Sequence, residues 1–207
     1  MSGSAGKDRQ KEAKARIRRE VLGVRDALGD GDRRIFDRLI RERLFELPEW
    51  KGSQIILTYL SFGSEADTRE IVRKALFAGK RVFCPRITDS DRGEMVFVRL
   101  RDAEDVEKNR MGIDEPAGDE VFAQDADDAL MIIPGVAFSA SLERIGYGGG
   151  YYDRYLAGHG GAKRLAICYE CQVRESFDNK EQITGRFDVR PEMLLTEKRL
   201  YRNDRHG

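Results

Sequence analysis

Cysteine and histidine are scarce in this chain of 207 residues, which has three cysteines and two histidines. Three thiols without an export signal favour the reducing cytoplasm and exclude a disulfide framework. Cys168 and Cys171 form a C-x-x-C pair, but a zinc site needs two further ligands, and only Cys84, His159 and His206 are available. A redox pair usually lies at a helix N-terminus, whereas Cys168 ends an apolar, strand-like run. We therefore expect core and strand-end cysteines.

Net charge is also lacking, because 37 Lys and Arg residues balance 37 Asp and Glu residues. Such a chain has no global field to attract nucleic acid or an anionic membrane. No apolar run approaches the roughly 20 residues that span a bilayer, and no signal-peptide segment is present. We therefore expect a cytoplasmic protein without nucleic-acid or membrane partners.

The charges are unevenly distributed along the chain. Residues 1–51 carry 14 basic and 10 acidic residues, whereas residues 102–128 carry 11 acidic and two basic ones. The acidic stretch is more typical of a solvated surface segment than of a metal cluster. Residues 1–6 predict a flexible leader, and the length suits a single domain over residues 7–207.

Hydrophobic periodicity predicts an α/β domain in which strands alternate with helices. A first helix spans 8–28, and Asp32 is a candidate cap for a second helix that ends at Pro48. Asp67 and Glu70 predict a capping box for a helix to about residue 78. A further helix covers 151–157, and residues 101–128 form a long connection. Strands are predicted at 54–60, 81–85, 95–100, 129–134, 164–169 and 193–196.

The most distinctive segment is the glycine-rich stretch Arg144–Leu156, with the sequence R-I-G-Y-G-G-G-Y-Y-D-R-Y-L. Glycines allow close backbone approach to a ligand, and the free N–H groups at a helix start bind anions. The P-loop pattern is absent, and the dinucleotide pattern G-x-G-x-x-G fails at Tyr151 and at Asp153. An unusual phosphate site is the favoured interpretation, and a purely structural turn is the alternative.

This segment, with P-G-V-A-F at 134–138 before it, resembles the signature of the 5-formyltetrahydrofolate cyclo-ligase family. The similarity extends over nearly the whole chain, in an N-terminal K-x-x-x-R and several later motifs. Those motifs are Tyr59–Ser61 with E-x-D-T at Glu65–Thr68, G-K-R-V-F-C-P at 79–85, G-I-D-E-P at 112–116 and L-L-T-E at 194–197.

The resemblance implies a three-layer α/β/α fold with a mostly parallel sheet, like that of sugar-phosphate isomerases and CoA transferases. It also implies ATP-dependent cyclisation of 5-formyltetrahydrofolate to 5,10-methenyltetrahydrofolate through a phosphorylated formyl intermediate. The implied cofactor is Mg²⁺, with ATP as co-substrate. A monomer or weak homo-oligomer is expected.

The resemblance also assigns ligand-binding residues. From the residues alone, Lys14 and Arg18 also suit a solvated basic face, Asp153 a helix-dipole partner and Glu65 an ordinary loop charge. The resemblance instead places Lys14, Arg18, Arg144, Ile145, Gly146, Tyr147, Gly148, Gly149, Gly150, Tyr151 and Tyr152 at ATP. It places Leu60, Glu65, Tyr147, Gly150, Tyr151 and Tyr152 at the folate, and Asp153 and Asp188 at the metal.

Three positions depart from the family pattern. Phe187 stands where the family commonly has histidine, Glu192 where it commonly has aspartate after a residue other than Pro191, and residues 139–143 replace its usual turn. The assignment of Asp188 to the metal depends most on this region. Alternative functions are a phosphosugar isomerase by fold analogy, a non-catalytic nucleotide or folate-binding module, and a nucleic-acid binder built on the basic first helix.

Overall fold

A computed structural model of the chain describes residues 2–123, 128–177 and 188–202. Met1, Phe187 and His206, on which sequence expectations rested, lie outside these residues. A seven-stranded sheet forms the centre of the molecule, and two smaller sheets flank it. The helices are α1 Ser2–Asp26, α2 Asp30–Glu46, α3 Pro48–Gly52, α4 Arg69–Phe77 and α5 Tyr151–Gly158.

The central sheet confirms the predicted α/β class with mostly parallel strands. Five inner strands run parallel, and the last strand at each edge is antiparallel. The sheet consists, in spatial order, of β12 Leu200–Arg202, β11 Met193–Leu195, β9 Lys163–Ile167, β6 Ala129–Ile133, β1 Ile55–Thr58, β2 Arg81–Asp89 and β3 Glu94–Leu100.

The chain first extends the sheet from β1 towards β3 and then continues on the opposite side of β1 with β6. The direction of strand addition therefore reverses between β1 and β6. In open α/β sheets, the crevice beyond the carboxyl ends of the strands at such a reversal is where ligands bind. Tyr59 and Leu60 follow β1, and Pro134 follows β6, so these residues lie at this crevice.

Helices cover both faces of the sheet, as a three-layer fold requires. Alternate strand residues such as Ile56 and Leu130 face a core with α2, α3 and α4. Their neighbours, such as Leu57 and Met131, face a second core with Tyr155 and Leu156 of α5. None of the described helices is long and apolar enough to cross a membrane.

Helix α1 lies outside both cores and packs on a small three-stranded sheet. This sheet consists of β10 Val173–Arg174, β7 Ala137–Ser139 and β8 Arg144–Ile145. Ala13, Ile17 and Val21 form the buried side of the helix. Val24, one turn beyond Val21, is 53% exposed.

Several local predictions need correction. Helix α2 starts at Asp30 behind an N-cap at Gly29, so Asp32 lies in the first turn and is not the cap. The N-cap of α4 is Thr68. No capping box forms there, because Glu70 pairs with Arg73 instead.

Some elements were not predicted at all. The acidic connection contains a hairpin of β4 Val106–Lys108 and β5 Asp114–Pro116. The short strands of the three-stranded sheet, helix α3 and the edge strand β12 were also missed. Each is five residues or shorter, which leaves too little length for a periodic pattern to develop.

Candidate active site

A cavity of about 670 Å³ lies at the strand reversal. Helix α1, the β1–α4 loop, the β4–β5 hairpin and the glycine-rich segment provide most of its walls. Most of the predicted site residues line it: Lys14, Arg18, Leu60, Glu65, Arg144, Gly146, Tyr147, Gly148, Gly149, Gly150, Tyr151, Tyr152, Asp153 and Asp188. The structure thus brings together residues that are far apart in sequence.

Ile145 is the exception among the predicted ATP-binding residues. Its side chain is 1% exposed and packs with Ile17 and Val136 in the core beneath α1. It does not belong to the cavity lining. Residues in a strand alternate between two faces, so Arg144 reaches the cavity while the adjacent Ile145 faces away from it.

The glycine-rich segment leads from β8 into helix α5. Gly148 and Gly150 have φ angles of 108° and 70°, in the left-handed region that favours glycine. Gly150 is the N-cap, so the first N–H groups of α5 have no partner within the helix. A strand, a left-handed turn and a helix start at one cavity wall form a suitable anion site.

Two cations of α1 lie in the cavity wall beside this segment. The Lys14 ammonium is 2.6 Å from the Asp188 carboxylate, and Arg18 Nε donates to the Gly146 carbonyl oxygen at 2.6 Å. Lys14 and Arg18 are one helical turn apart and share a helix face. Both belong to the wall and are not freely solvated, which argues against the interpretation of a basic surface face.

Arg144 is 5% exposed and has an organising role in the wall. Its guanidinium donates to Asp153 Oδ1 at 2.5 Å, to the Pro134 carbonyl oxygen at 3.2 Å and to the Val189 carbonyl oxygen at 3.1 Å. Val189 N–H also donates to Asp153 Oδ1, at 3.0 Å. The arrangement holds the segment containing Asp188 beside the start of α5.

Asp153 and Asp188, the two predicted metal ligands, both line the cavity. Among the described residues, no group of three or more His, Cys, Asp or Glu side chains is arranged to hold a metal. Mg²⁺ usually takes only one or two carboxylates and completes its shell with water and ligand phosphates. Two carboxylates facing an anion site fit this pattern.

Glu65 lies at another part of the cavity, among apolar and aromatic residues. Its carboxylate accepts hydrogen bonds from the Tyr147 hydroxyl at 2.7 Å and from Phe62 N–H at 3.0 Å. Burial raises the pKa of Glu65, and these two hydrogen bonds lower it. A carboxylate among rings suits a flat ligand with an edge of N–H donors.

The Tyr152 side chain lies in the same region, and its ring meets Phe97 edge to face. Its hydroxyl is buried without a hydrogen-bond partner among the described residues. A buried polar group normally has a partner. Its position in a ligand cavity makes a bound molecule a natural source of that partner.

Sequence reasoning missed several apolar residues of the cavity. The main ones are Phe62, Pro85, Ile87, Met95, Met111 and Ile113. Pro85 belongs to the motif at 79–85 and Ile113 to the motif at 112–116, which had been noted without a role. Those motifs were the available signal. Ile87 and Met95 lie on the β2–β3 pair and resemble ordinary strand residues.

The C-x-x-C pair does not form a reactive site. Cys168 directly follows β9 and is buried, and Cys171 is half-buried. None of the three cysteines, all of them among the described residues, forms a disulfide. Burial raises the pKa of the Cys168 and Cys171 thiols, which opposes thiolate formation. This agrees with the expectation of core and strand-end cysteines.

Fold and cavity together define an α/β protein with a ligand site at the strand reversal, suited to an anionic ligand and a flat ring. The chain belongs to the 5-formyltetrahydrofolate cyclo-ligase family, whose model matches residues 10–179. A Schizosaccharomyces pombe protein named probable 5-formyltetrahydrofolate cyclo-ligase is 31% identical over 79% of this chain and 85% of its own. The Escherichia coli 5-formyltetrahydrofolate cyclo-ligase is 31% identical over 67% of this chain and 78% of its own.

Solved structures agree with this assignment. The Aquifex aeolicus 5,10-methenyltetrahydrofolate synthetase superposes with a TM-score of 0.80 at 28% identity, covering 94% of both chains. A Mycoplasma pneumoniae 5,10-methenyltetrahydrofolate synthetase shares the fold, with a TM-score of 0.69 at 20% identity, covering 89% of this chain and 98% of its own.

Proposed function

We propose that this chain catalyses the ATP-dependent cyclisation of 5-formyltetrahydrofolate to 5,10-methenyltetrahydrofolate, releasing ADP and phosphate. One observation carries the proposal: a single cavity holds an anion site beside two carboxylates and, at another wall, Glu65 among aromatic and apolar residues. A reaction that transfers a phosphoryl group from a triphosphate to a substrate with a flat, nitrogen-rich ring requires both environments in one space. Family membership supplies the identity of the two substrates.

The first step transfers a phosphoryl group. The formyl oxygen attacks the γ-phosphate, an O–P bond forms, and the bond to ADP breaks. Phosphoryl transfer depends mainly on positioning and neutralisation of charge. Lys14, Arg18 and the N–H groups after Gly150 supply positive charge and donors for the phosphates. The buried contacts of Arg144 hold this wall in place.

The second step closes the ring. N10 of the folate attacks the activated formyl carbon and loses its proton, and the C–O bond to phosphate breaks. Both steps act on the same formyl group, so the folate must stay in one pose while ADP is formed. Glu65 fixes the donor edge of the ring, and Leu60 and Tyr152 provide walls for its faces.

Mg²⁺ is part of the proposal. Asp153 and Asp188 would hold it together with phosphate oxygens, and it would neutralise phosphate charge. The Asp153 carboxylate is already oriented by Arg144 and Val189 N–H. That preorganisation fixes a carboxylate beside the anion site without a third protein ligand.

The test is spectroscopic. Purified protein with Mg-ATP and 5-formyltetrahydrofolate should generate the near-ultraviolet absorbance of methenyltetrahydrofolate, with one ADP released for each product. Reactions without ATP, and reactions with 5-methyltetrahydrofolate, which has no formyl oxygen, are the controls. A folded protein that shows no ATP-dependent change in absorbance would contradict the proposal.

A further inference from the structure

Arg25 is a buried arginine near the C-terminal end of α1 that does not line the cavity. Its Nη1 donates to the Tyr147 hydroxyl oxygen at 3.0 Å, and its Nε donates to Ser64 Oγ at 2.9 Å. Its guanidinium carbon lies 5.9 Å from the centre of the Tyr147 ring. One side chain thus joins α1, the β1–α4 loop and the glycine-rich segment.

The chemistry of arginine fixes the direction of these hydrogen bonds. A guanidinium only donates, so the Tyr147 oxygen must accept from Arg25. The single hydroxyl proton of Tyr147 is then left for Glu65 Oε1, at 2.7 Å. Ser64 repeats the pattern, since its hydroxyl accepts from Arg25 and donates to Asp26.

Both oxygens of Glu65 are therefore acceptors, one of Tyr147 O–H and one of Phe62 N–H. These two hydrogen bonds favour the carboxylate over the protonated acid and oppose the burial that raises the pKa of Glu65. The remaining lone pairs of the carboxylate suit the N–H and amino donors along one edge of a pterin.

We propose that Arg25 is a positioning residue for the folate, acting through the Tyr147 hydroxyl to hold Glu65 as an oriented carboxylate. This inference rests on the proposed function for its ligand, and on the hydrogen-bond chain for its mechanism. The partners of Arg25 are Ser64 and Tyr147, whereas Lys14 contacts Asp188 and Arg18 contacts Gly146, although all three cations belong to α1.

The groups around Glu65 set its titration. Burial raises its pKa, whereas the Tyr147 hydroxyl, Phe62 N–H and the charge of Arg25 lower it. The neighbouring phenols of Tyr59 and Tyr152 remain neutral, because burial raises the pKa of both. Removing Arg25 should therefore raise the pKa of Glu65 and move the acid limb of folate binding to higher pH.

The first experiment needs no substrate. The carboxyl carbons of ¹³C-glutamate-labelled protein are titrated by NMR, and the Glu65 signal is identified by its loss in Glu65→Gln. Arg25→Met and Tyr147→Phe should each raise the pKa of Glu65. An unchanged Glu65 titration in Arg25→Met would overturn the proposal. Because this measurement does not depend on turnover, failure of the proposed function leaves it intact.

The second experiment compares the two substrates. We expect Arg25→Met to raise the KM for 5-formyltetrahydrofolate about tenfold, which corresponds to the loss of one hydrogen bond that involves a charged group. The KM for ATP should rise less than about twofold. Adding Arg25→Met to Tyr147→Phe should cause little further change, because both act on the same hydroxyl. Equal losses for both substrates, or additive effects in the double variant, would overturn the proposal.

Two further variants separate positioning from folding. Arg33 donates to the carbonyl oxygens of Arg25 and Asp26, so Arg33→Met perturbs the same helix end without touching Tyr147. It should lower thermal stability and leave the KM for folate unchanged. Arg25→Lys keeps the charge but lacks the fork that holds Ser64 and Tyr147 together. We expect Arg25→Lys to retain the stability that Arg25→Met loses, but not the affinity for folate. Full retention of folate affinity in Arg25→Lys would contradict the positioning role.

Discussion

Lys14 and Asp188 are separated by 174 positions in the sequence, yet the ammonium and the carboxylate are 2.6 Å apart in the cavity wall. The side chains are 17% and 20% exposed. The pair connects the first helix to the segment that leads into β11. It also places a cation directly beside one of the two aspartates that line the cavity.

Lys14→Ala should weaken ATP binding more than folate binding, because Lys14 lies at the anion site and Glu65 lies at the ring site. We expect at least a tenfold rise in the KM for ATP, in the range for a lost charge-assisted hydrogen bond. Steady-state kinetics with each substrate varied in turn provide the measurement. Arg19→Ala, an exposed change on the same helix, is the matched control. Equal loss for both substrates would indicate a structural defect instead.

Asp153→Asn should raise the Mg²⁺ concentration required for half-maximal activity. It should also lower the melting temperature, because the buried Arg144 guanidinium would lose its ionised partner, at a cost of about 1–3 kcal/mol. Magnesium titrations and thermal melts measure the two effects. Asp188→Asn is expected to share the first effect and to have a smaller second one, since its partner Lys14 is more exposed. Unchanged magnesium dependence would remove Asp153 from the metal site.

Folate binding should be lost in acid through Glu65. The carboxylate is the form that accepts the ring donors, and burial raises its pKa above that of an ordinary glutamate. Binding should therefore fall as the pH drops through that raised pKa. Fluorescence titrations with 5-formyltetrahydrofolate across the acid range test this. Glu65→Gln should bind folate weakly, and its binding should not fall further in acid. If the same acid-dependent fall persists in Glu65→Gln, another group is responsible for it.

Gly150→Ala should destabilise the protein by about 1–2 kcal/mol, because alanine is strained at a φ of 70°. A Cβ atom there would also lie 2.9 Å from the Arg154 guanidinium. Thermal or urea unfolding gives the magnitude. Gly158→Ala in the same helix is the control, since nothing lies within 4 Å of its Cβ position. Similar losses in both variants would argue against a special role for the left-handed turn.

The thiols should react slowly. Burial raises the pKa of Cys84, Cys168 and Cys171, so little thiolate forms at neutral pH. A disulfide reagent should modify native protein far more slowly than urea-unfolded protein. Fast native labelling that forms a Cys168–Cys171 disulfide would revive the redox interpretation.

The long elements and the central motif could be predicted from the sequence because each has a local physical signature. Strands such as 129–133 are uninterrupted apolar runs, and the glycine-rich segment needs glycine at its left-handed positions. The motifs also predicted Glu65 and Lys14 as ligand-binding residues, and the structure places both in the wall of one cavity.

Other parts of the site depend on distant contacts with no local signature. Arg25 is one of many arginines in a charged helix, and only the fold places it against Tyr147. The Ile145 side chain points away from the cavity because β8 pairs with β7, and the sequence did not indicate this pairing. Met111 reaches the cavity because a hairpin forms inside the acidic stretch.

The packing of α1 has a consequence for how the enzyme loses activity. No described residue of this helix belongs to the two cores of the main sheet. Its partners Val136, Ala137, Ile145 and Phe177 lie more than 100 residues later in the sequence. We therefore expect α1 to detach by local unfolding while the sheet stays folded. Detachment would remove Lys14, Arg18 and Arg25 together. We expect mild heating to inactivate the protein before it melts, and bound ATP to slow hydrogen exchange in α1.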